Sequence, residues 1–319
     1  MSLSSLLDKW RNTPAIVDNI AAWRTLPARP ANLTPFPPEL HPALTQALHA
    51  RGITALFSHQ TIAWHLVKAR QNPAIVTATA SGKTLCYNLP VLDSLLRNPE
   101  ARALYLFPTK ALAQDQAESL RGLVKDQAKE IRNKKLEVEA SYGPRTTYHL
   151  PISTYDADTP DSARPAIRQQ ARLVITNPDM LHTGILPHHT RWAAFFSQLQ
   201  FIVIDEMHSY RGVFGSHVAN VLRRLKRVAQ FYGAKPQFIL TSATIANPTE
   251  LAERLIEAPV TLVDDDGAAK GAKHFLLYNP PITNPELGLR RGVIQETVRL
   301  TQELLAHQIQ TLIFGRARR

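Results

Sequence analysis

Residues 74–85 confine this chain to few architectures. Ala74-Ile75-Val76 is an apolar, β-branched run, Thr77 to Ser81 is a loop of small residues, and Gly82-Lys83-Thr84 opens a segment with helical character. A strand, a tight loop and a helix in that order surround one concavity with backbone N–H groups and the positive end of a helix, which suits phosphate oxygens. In such a loop Lys83 reaches the β- and γ-phosphates, the Thr84 hydroxyl ligates Mg²⁺ and Gly82 lets the backbone approach the ligand. Thr77 stands where the full G-x-x-x-x-G-K-[ST] pattern has glycine. The tripeptide alone fits a plain capped helix equally well, so the rest of the chain has to decide.

Four further apolar runs read as strands: Ala103 to Phe107, Arg172 to Thr176, Phe201 to Ile204 and Gln237 to Thr241. Helical patterns separate them, over about 85–96, 111–129, 162–170 and 214–232. Near-continuous apolar strands alternating with helices predict an α/β fold with a mostly parallel sheet covered on both faces. Ligands of such sheets gather beyond the carboxyl ends of the strands. The polar clusters Pro108-Thr109-Lys110, Asn177-Pro178-Asp179, Asp205-Glu206-Met207-His208 and Ser242-Ala243-Thr244 all fall at such ends, in register with the Lys83 loop.

Asp205 and Glu206 close the most apolar strand. One carboxylate there holds Mg²⁺ on a nucleotide while its neighbour orients or deprotonates water, their side chains diverging as they do along extended backbone. An acidic helix start is the plain alternative. His208 is either a packed histidine or a relay to Ser242 and Thr244, and Ser242-Ala243-Thr244 is otherwise a capping turn. Gln60, at the start of a helix that Ser58 caps, offers the donor and acceptor that the edge of adenine requires, or is simply a solvated glutamine. Arg223, Arg224, Lys226 and Arg227 lie off the apolar face of the 214–232 helix, where a solvated basic face is the ordinary reading.

Residues 1–54, with Leu26-Pro27-Ala28-Arg29-Pro30 and Pro35-Phe36-Pro37-Pro38, predict an N-terminal arm over the main domain, with one helix from Glu39 to Arg51. Residues 55–263 are the main domain, 264–287 a linker and 288–319 one helix and one strand, Thr311-Leu312-Ile313-Phe314. Residues 130–155 predict an excursion from the sheet. The 37 Lys and Arg against 26 Asp and Glu give +11 at pH 7, which makes a polyanionic partner plausible without establishing one. Cys86 is the only cysteine, which excludes an internal disulfide and a Cys-rich zinc site, and packs as a small hydrophobe. Without a leader-like start or a long apolar run, the chain is expected in the cytoplasm, with no membrane partner.

Taken together, Phe57-Ser58-His59-Gln60, Thr79-Ala80-Ser81-Gly82-Lys83-Thr84, Phe107-Pro108-Thr109-Lys110-Ala111-Leu112, Asn177-Pro178-Asp179-Met180-Leu181-His182, Asp205-Glu206-Met207-His208 and Ser242-Ala243-Thr244 resemble, in order and spacing, the motifs of superfamily 2 helicases of the DEAD/DEAH-box group. Tyr155-Asp156-Ala157-Asp158-Thr159-Pro160 and His208 to His217 resemble the branch of mitomycin repair factor A and its RecQ4-like fungal relatives.

The resemblance implies a RecA-like P-loop domain and ATP-driven, 3′→5′ unwinding of DNA in repair. It implies that Gln60, Thr79, Ala80, Ser81, Gly82, Lys83 and Thr84 bind ATP, with Thr84 and Asp205 on Mg²⁺ and Lys83, Asp205, Glu206 and His208 catalytic. Ser242, Ala243 and Thr244 would couple the sites, and Pro108, Thr109, Lys110, Asn177, Pro178 and Asp179 would line a track for single-stranded or forked DNA, RNA remaining open. Ala157 stands where the branch has glycine. Residues 288–319 resemble the start of a second RecA-like lobe, needed in cis or trans, so the chain alone is expected to hydrolyse ATP slowly and not to unwind. A nucleic-acid-binding module with a vestigial nucleotide site, an RNA helicase lobe and a small-metabolite kinase are the competing readings.

Overall fold

The computed structural model describes residues 3–134 and 150–315. By contact density the chain forms two units, Pro30–Ala269 and the pair of end segments Met1–Arg29 and Lys270–Arg319.

The larger unit is built on seven strands: β1 (Pro73–Val76), β2 (Arg102–Leu106), β3 (Ile152–Thr154), β4 (Leu173–Thr176), β5 (Leu199–Ile204), β6 (Gln237–Ser242) and β7 (Thr261–Val263). Their order is β7-β1-β6-β5-β2-β4-β3, and every neighbouring pair is parallel. Side chains alternate between two cores, as the period of two along a strand requires. Ile75, Tyr105, Ile175, Phe201, Val203 and Ile239 enter one core, and Val76, Leu104, Val174, Ile202, Ile204 and Leu240 the other. With both faces covered, each such side chain contributes about 1.5–3 kcal/mol of burial, which is why these strands show no polar alternation.

The first core is closed by helices α1 (Ser58–Lys68), α2 (Lys83–Arg97) and α3 (Lys110–Lys134), and the second by α4 (Gly212–Phe231) and α5 (Pro248–Ile256). A proline inside a helix ordinarily interrupts it, yet α2 runs its full 15 residues with Pro90 inside and buried. Asp93, fully buried on α2, takes an ion pair from Lys68 at 2.6 Å and one from Arg97 at 3.1 Å, and accepts from the His41 backbone N–H at 2.9 Å. That junction ties the loop-bearing helix to its neighbours.

Several boundaries differ from expectation. Residues 1–29 are not part of an arm with 30–54: Ile20–Leu26 pairs antiparallel with Lys273–Tyr278 around a small core of Leu6, Leu7, Trp10 and Ile16. The expected linker 264–287 therefore contains a strand, since its one apolar run finds an antiparallel partner far away in sequence. Residues 30–54 stay in the larger unit, where Leu33–Thr34 pairs with Leu56–Phe57 and Pro42–Ala50 forms the expected helix. Of the region 130–155, residues 135–149 lie outside the described residues. Ile152–Thr154 is the sheet's edge strand rather than an excursion from it. Thr311 to Phe314 is not a strand, because no described segment pairs with it, whereas the helix before it forms as Val293–Ala306.

Candidate nucleotide and strand-binding sites

The loop after β1 ends at Gly82, whose φ of +78° begins α2 from the left-handed region. Ala80 also has positive φ, +61°, an unusual state for a residue with a Cβ. A Cβ built on Gly82 would stand 2.7 Å from Gln60 Nε2. Replacing Gly82 by alanine is expected to cost about 1–2 kcal/mol from the left-handed backbone alone, read as a lowered denaturation midpoint with an unchanged m-value.

The loop is braced from inside. The Thr77 and Ser81 hydroxyls, both buried, are hydrogen-bonded at 2.6 Å. Thr77 thus fills the place of the missing glycine with a side chain that fastens the two ends of the loop. Gln60 Nε2 donates to the Gly82 carbonyl at 3.0 Å and its Oε1 accepts from the Phe57 N–H at 2.9 Å. Gln60 is therefore buried against the loop, not solvated at a helix start. His59, which sequence reasoning left without a role, is fully buried: Nδ1 accepts from the Gly267 N–H at 3.2 Å and Nε2 lies 3.1 Å from the Ser81 carbonyl. An accepting Nδ1 leaves Nε2 as the donor, the neutral tautomer. Burial pushes the His59 pKa down, which keeps it in that form. Lys83 extends back over the loop, its Nζ donating to the Thr77 carbonyl at 3.0 Å and the Ala78 carbonyl at 2.9 Å.

Asp205 follows the last residue of β5. By alternation it faces the same core as Phe201 and Val203, toward α2. Its Oδ2 accepts from Tyr87 Oη at 3.3 Å, one turn along α2 from Lys83 and Thr84. The helix that opens with Lys83 and Thr84 is thus fastened to Asp205, more than a hundred residues away in the chain. Asp205 Oδ1 accepts from the Thr241 hydroxyl and from the Glu206 N–H. The register that pairs Ile204 with Leu240 sets Thr241 beside Asp205. Tyr87 and Thr241 were missed as support residues. The signal for Tyr87 was its place one turn beyond Lys83; Thr241 needed the register.

The two acids do diverge, though not by strand alternation. Glu206 has φ +51°, so the chain leaves extended geometry between them. Burial, and next the charge of Asp205, raise the Glu206 pKa; His208 and Lys83 act in the opposite direction. The influence of Lys83 on Glu206 brings the loop and the acids into one electrostatic environment. Glu206 Oε2 lies 3.1 Å from His208 Nδ1, which also accepts from the Ala243 N–H at 3.3 Å and stands 3.4 Å from Ser242 Oγ. His208 therefore bridges the ends of β5 and β6.

The remaining polar clusters occupy the other half of the same edge, after β2, β4 and β3. Lys110 Nζ pairs with Asp158 at 3.0 Å, and Thr109 Oγ1 accepts from the Leu112 N–H at 3.4 Å. Asn177 caps the turn that starts at Pro178, accepting from the Met180 N–H at 2.8 Å, with Asp179 in its first turn. Beyond β3, Asp156 and Thr159 close a tight turn, and Arg164 stacks on the Tyr155 ring at 5.4 Å.

Comparison with known proteins gives this arrangement a family. The model described as DEAD/DEAH box helicase matches residues 57–251. The chain is 48% identical over 301 residues to the uncharacterized ATP-dependent helicase YprA of Bacillus subtilis, covering 94% of this chain and 38% of YprA. It is 36% identical over 321 residues to the ATP-dependent helicase HRQ1 of Saccharomyces cerevisiae, covering all of this chain and 28% of that protein. Among solved structures, the DUF1998 helicase MrfA bound to DNA aligns at a TM-score of 0.90 and 46% identity, over all of this chain and 39% of that one. Its complex with DNA and AMPPNP gives 0.88, over 41% of that chain. The chain thus spans well under half the length of these relatives. Because the match from Phe57 to Leu251 takes in all of the cluster around Lys83 and Asp205 except Gly267, the chain belongs to the DEAD/DEAH box helicase family.

Proposed function

We propose that this chain is the ATP-binding motor lobe of an ATP-dependent DNA helicase acting in DNA repair, with 3′→5′ polarity. The observation that carries the reading is the hydrogen bond from Tyr87, on the helix that Lys83 and Thr84 open, to Asp205 at the end of β5, with Lys83 and Glu206 in the same electrostatic neighbourhood. A hydroxyl and a carboxylate are hard oxygen donors. They fit Mg²⁺, which takes one or two protein oxygens and fills its remaining positions with phosphate and water. When bound, the ion would neutralise charge developing on the phosphates.

In this reading Lys83 exchanges the Thr77 and Ala78 carbonyls for phosphate oxygens, and the Gly82 loop supplies backbone donors. Glu206 takes the proton of the attacking water, its raised pKa making it a stronger base than an exposed carboxylate. His208, touching Glu206 on one side and Ser242 and Ala243 on the other, passes the state of the acids to the end of β6. Lys110, Thr109, Asn177 and their neighbours hold a nucleic-acid strand by its backbone, which carries little sequence information. Residues 288–319 begin a second RecA-like lobe, required in cis or in trans. A cytoplasmic location goes with this proposal, since ATP and the polyanionic partner are both found there.

The supporting relatives are helicases, and MrfA was solved bound to DNA. The intact set Lys83, Thr84, Asp205 and Glu206 disfavours a vestigial nucleotide site. The test is phosphate release by the purified chain with and without single-stranded DNA, beside the full-length protein. Slow release from the chain and DNA-stimulated release from the longer protein are expected. Strong DNA-stimulated hydrolysis by the chain alone would overturn the need for a second lobe, and phosphoryl transfer to a metabolite would replace the reading.

A further inference from the structure

Helix α4 carries two stripes. Val218, Leu222, Leu225 and Ala229 are buried, as the periodicity predicts. A second stripe, Phe214, His217, Val221, Arg224, Val228 and Phe231, recurs at three- and four-residue steps, with Phe214, His217 and Phe231 exposed and Val221, Arg224 and Val228 half-buried. Phe214 is 41% exposed and Phe231 76%. Two phenylalanine rings open to water along one stripe of one helix mark a surface available for contact.

Two hollows adjoin along this face and share Arg224 and Arg227. One, of 590 Å³, is walled by Phe214 and His217 of α4 and by Pro178, Asp179 and His182 from the turn after β4. The other, of 370 Å³, is walled by His189, Val228 and Phe231. Arg223, on the rim, is engaged by Glu257 at 2.6 Å and by Asn220. Arg224 and Arg227 have no ion-pair partner among the described residues. Asp179 is the only acid in either wall.

Guanidinium groups between aromatic rings suit an unpaired strand, since the cations take phosphates and the rings offer π-faces to any base. The path is continuous with the proposed track, because Pro178 and Asp179 belong to both. From Phe214 to Phe231 the helix rises about 25 Å at ~1.5 Å per residue. That is room for about seven phosphates at the ~3.4 Å spacing of a stacked strand.

We infer that the outer face of α4 is a second contact segment for single-stranded DNA, with Arg224 and Arg227 on phosphates and Phe214 and Phe231 stacking on bases. The inference rests on the helicase reading, and extends the strand past the loops at the strand ends.

The test is fluorescence anisotropy of fluorescein-labelled oligo-dT, about 6 and about 20 nucleotides long, across a salt series. The Arg224→Glu, Arg227→Glu double variant should lose at least about tenfold in affinity for the long oligonucleotide and bind the short one as the parent chain does. Its log–log salt slope for the long strand should fall by about 1.4, at ~0.7 per lost phosphate contact. Phe214→Ala with Phe231→Ala should weaken long-strand binding and leave the salt slope unchanged. Fluorescent ATP analogue binding and the melting temperature confirm folding, and Arg224→Gln with Arg227→Gln serves if charge reversal unfolds the helix. Parent-like affinity and slope on the long strand, while Lys110→Ala weakens binding at both lengths, would overturn the inference and leave the helicase reading standing. An equal loss at both lengths also overturns it. A parent chain that binds neither oligonucleotide at low salt removes both.

Discussion

A Lys83→Ala chain should lose about 10- to 100-fold in affinity for ATP and keep its fold. The magnitude follows from charge-assisted hydrogen bonds, which contribute about 1.5–3 kcal/mol each. In the structure Lys83 Nζ satisfies two loop carbonyls, at 3.0 and 2.9 Å. In the proposed reading nucleotide binding exchanges those neutral acceptors for phosphate oxygens, and the gain in that exchange is what the variant forfeits. The fold does not depend on it. The loop stays closed by the Thr77–Ser81 hydroxyl pair and by Gln60 and His59, which reach the Gly82 and Ser81 carbonyls respectively. Titration with a fluorescent ATP analogue, paired with thermal unfolding, separates the two effects. Unchanged affinity would mean that the Lys83 loop does not hold the triphosphate.

Replacing Glu206 by Gln should slow hydrolysis by about 10²- to 10⁴-fold, the range of a positioned general base, with ATP binding preserved. Burial and the adjacent Asp205 raise the Glu206 pKa above its ordinary 4.5, while Lys83 and His208 limit the rise. The sign follows from the direction of that shift. With Glu206 as the proposed base, the ionised carboxylate is the active form, so the rate should fall as pH drops through the raised pKa, at a higher pH than an exposed glutamate would set. The glutamine variant should lose this acid limb, leaving a low, flat profile. Single-turnover phosphate release across the acid range measures both. A fall of less than about tenfold would assign the water to another group, and an intact acid limb would move the titration elsewhere.

The two variants bear on different parts of one cluster, and the way it is assembled explains why so much of it could be read early. Lys83, Thr84, Gln60, Asp205 and Glu206 are fixed locally. Each sits where an apolar run stops or a helix begins, and such punctuation survives in a linear string. The β-sheet was legible for the same reason, since strands buried on both faces are apolar throughout. Supports that depend on register were not legible. Thr241 lies beside Asp205 only because Ile204 pairs with Leu240. His59 gains meaning only when Gly267, 208 residues away, donates to its ring.

The divergence of Asp205 and Glu206 was expected from extended backbone and arises instead from a left-handed residue, a conformation that no pattern of side chains announced. The pairing of Ile20–Leu26 with Lys273–Tyr278 was hidden for a related reason. Each strand alone is too short to show more than a brief apolar run, and the loop between them is nearly the whole chain.

Composition, apolar periodicity and loop chemistry thus determined the parallel sheet, the helices on its faces and the carboxyl edge where the polar clusters gather, because these depend on the order of residues within a few turns. Tertiary structure alone decided which atoms meet: Tyr87 with Asp205, and Glu206 with Ser242 across His208. Those meetings depend on strand register and helix packing, in which distant residues share the cost of ordering.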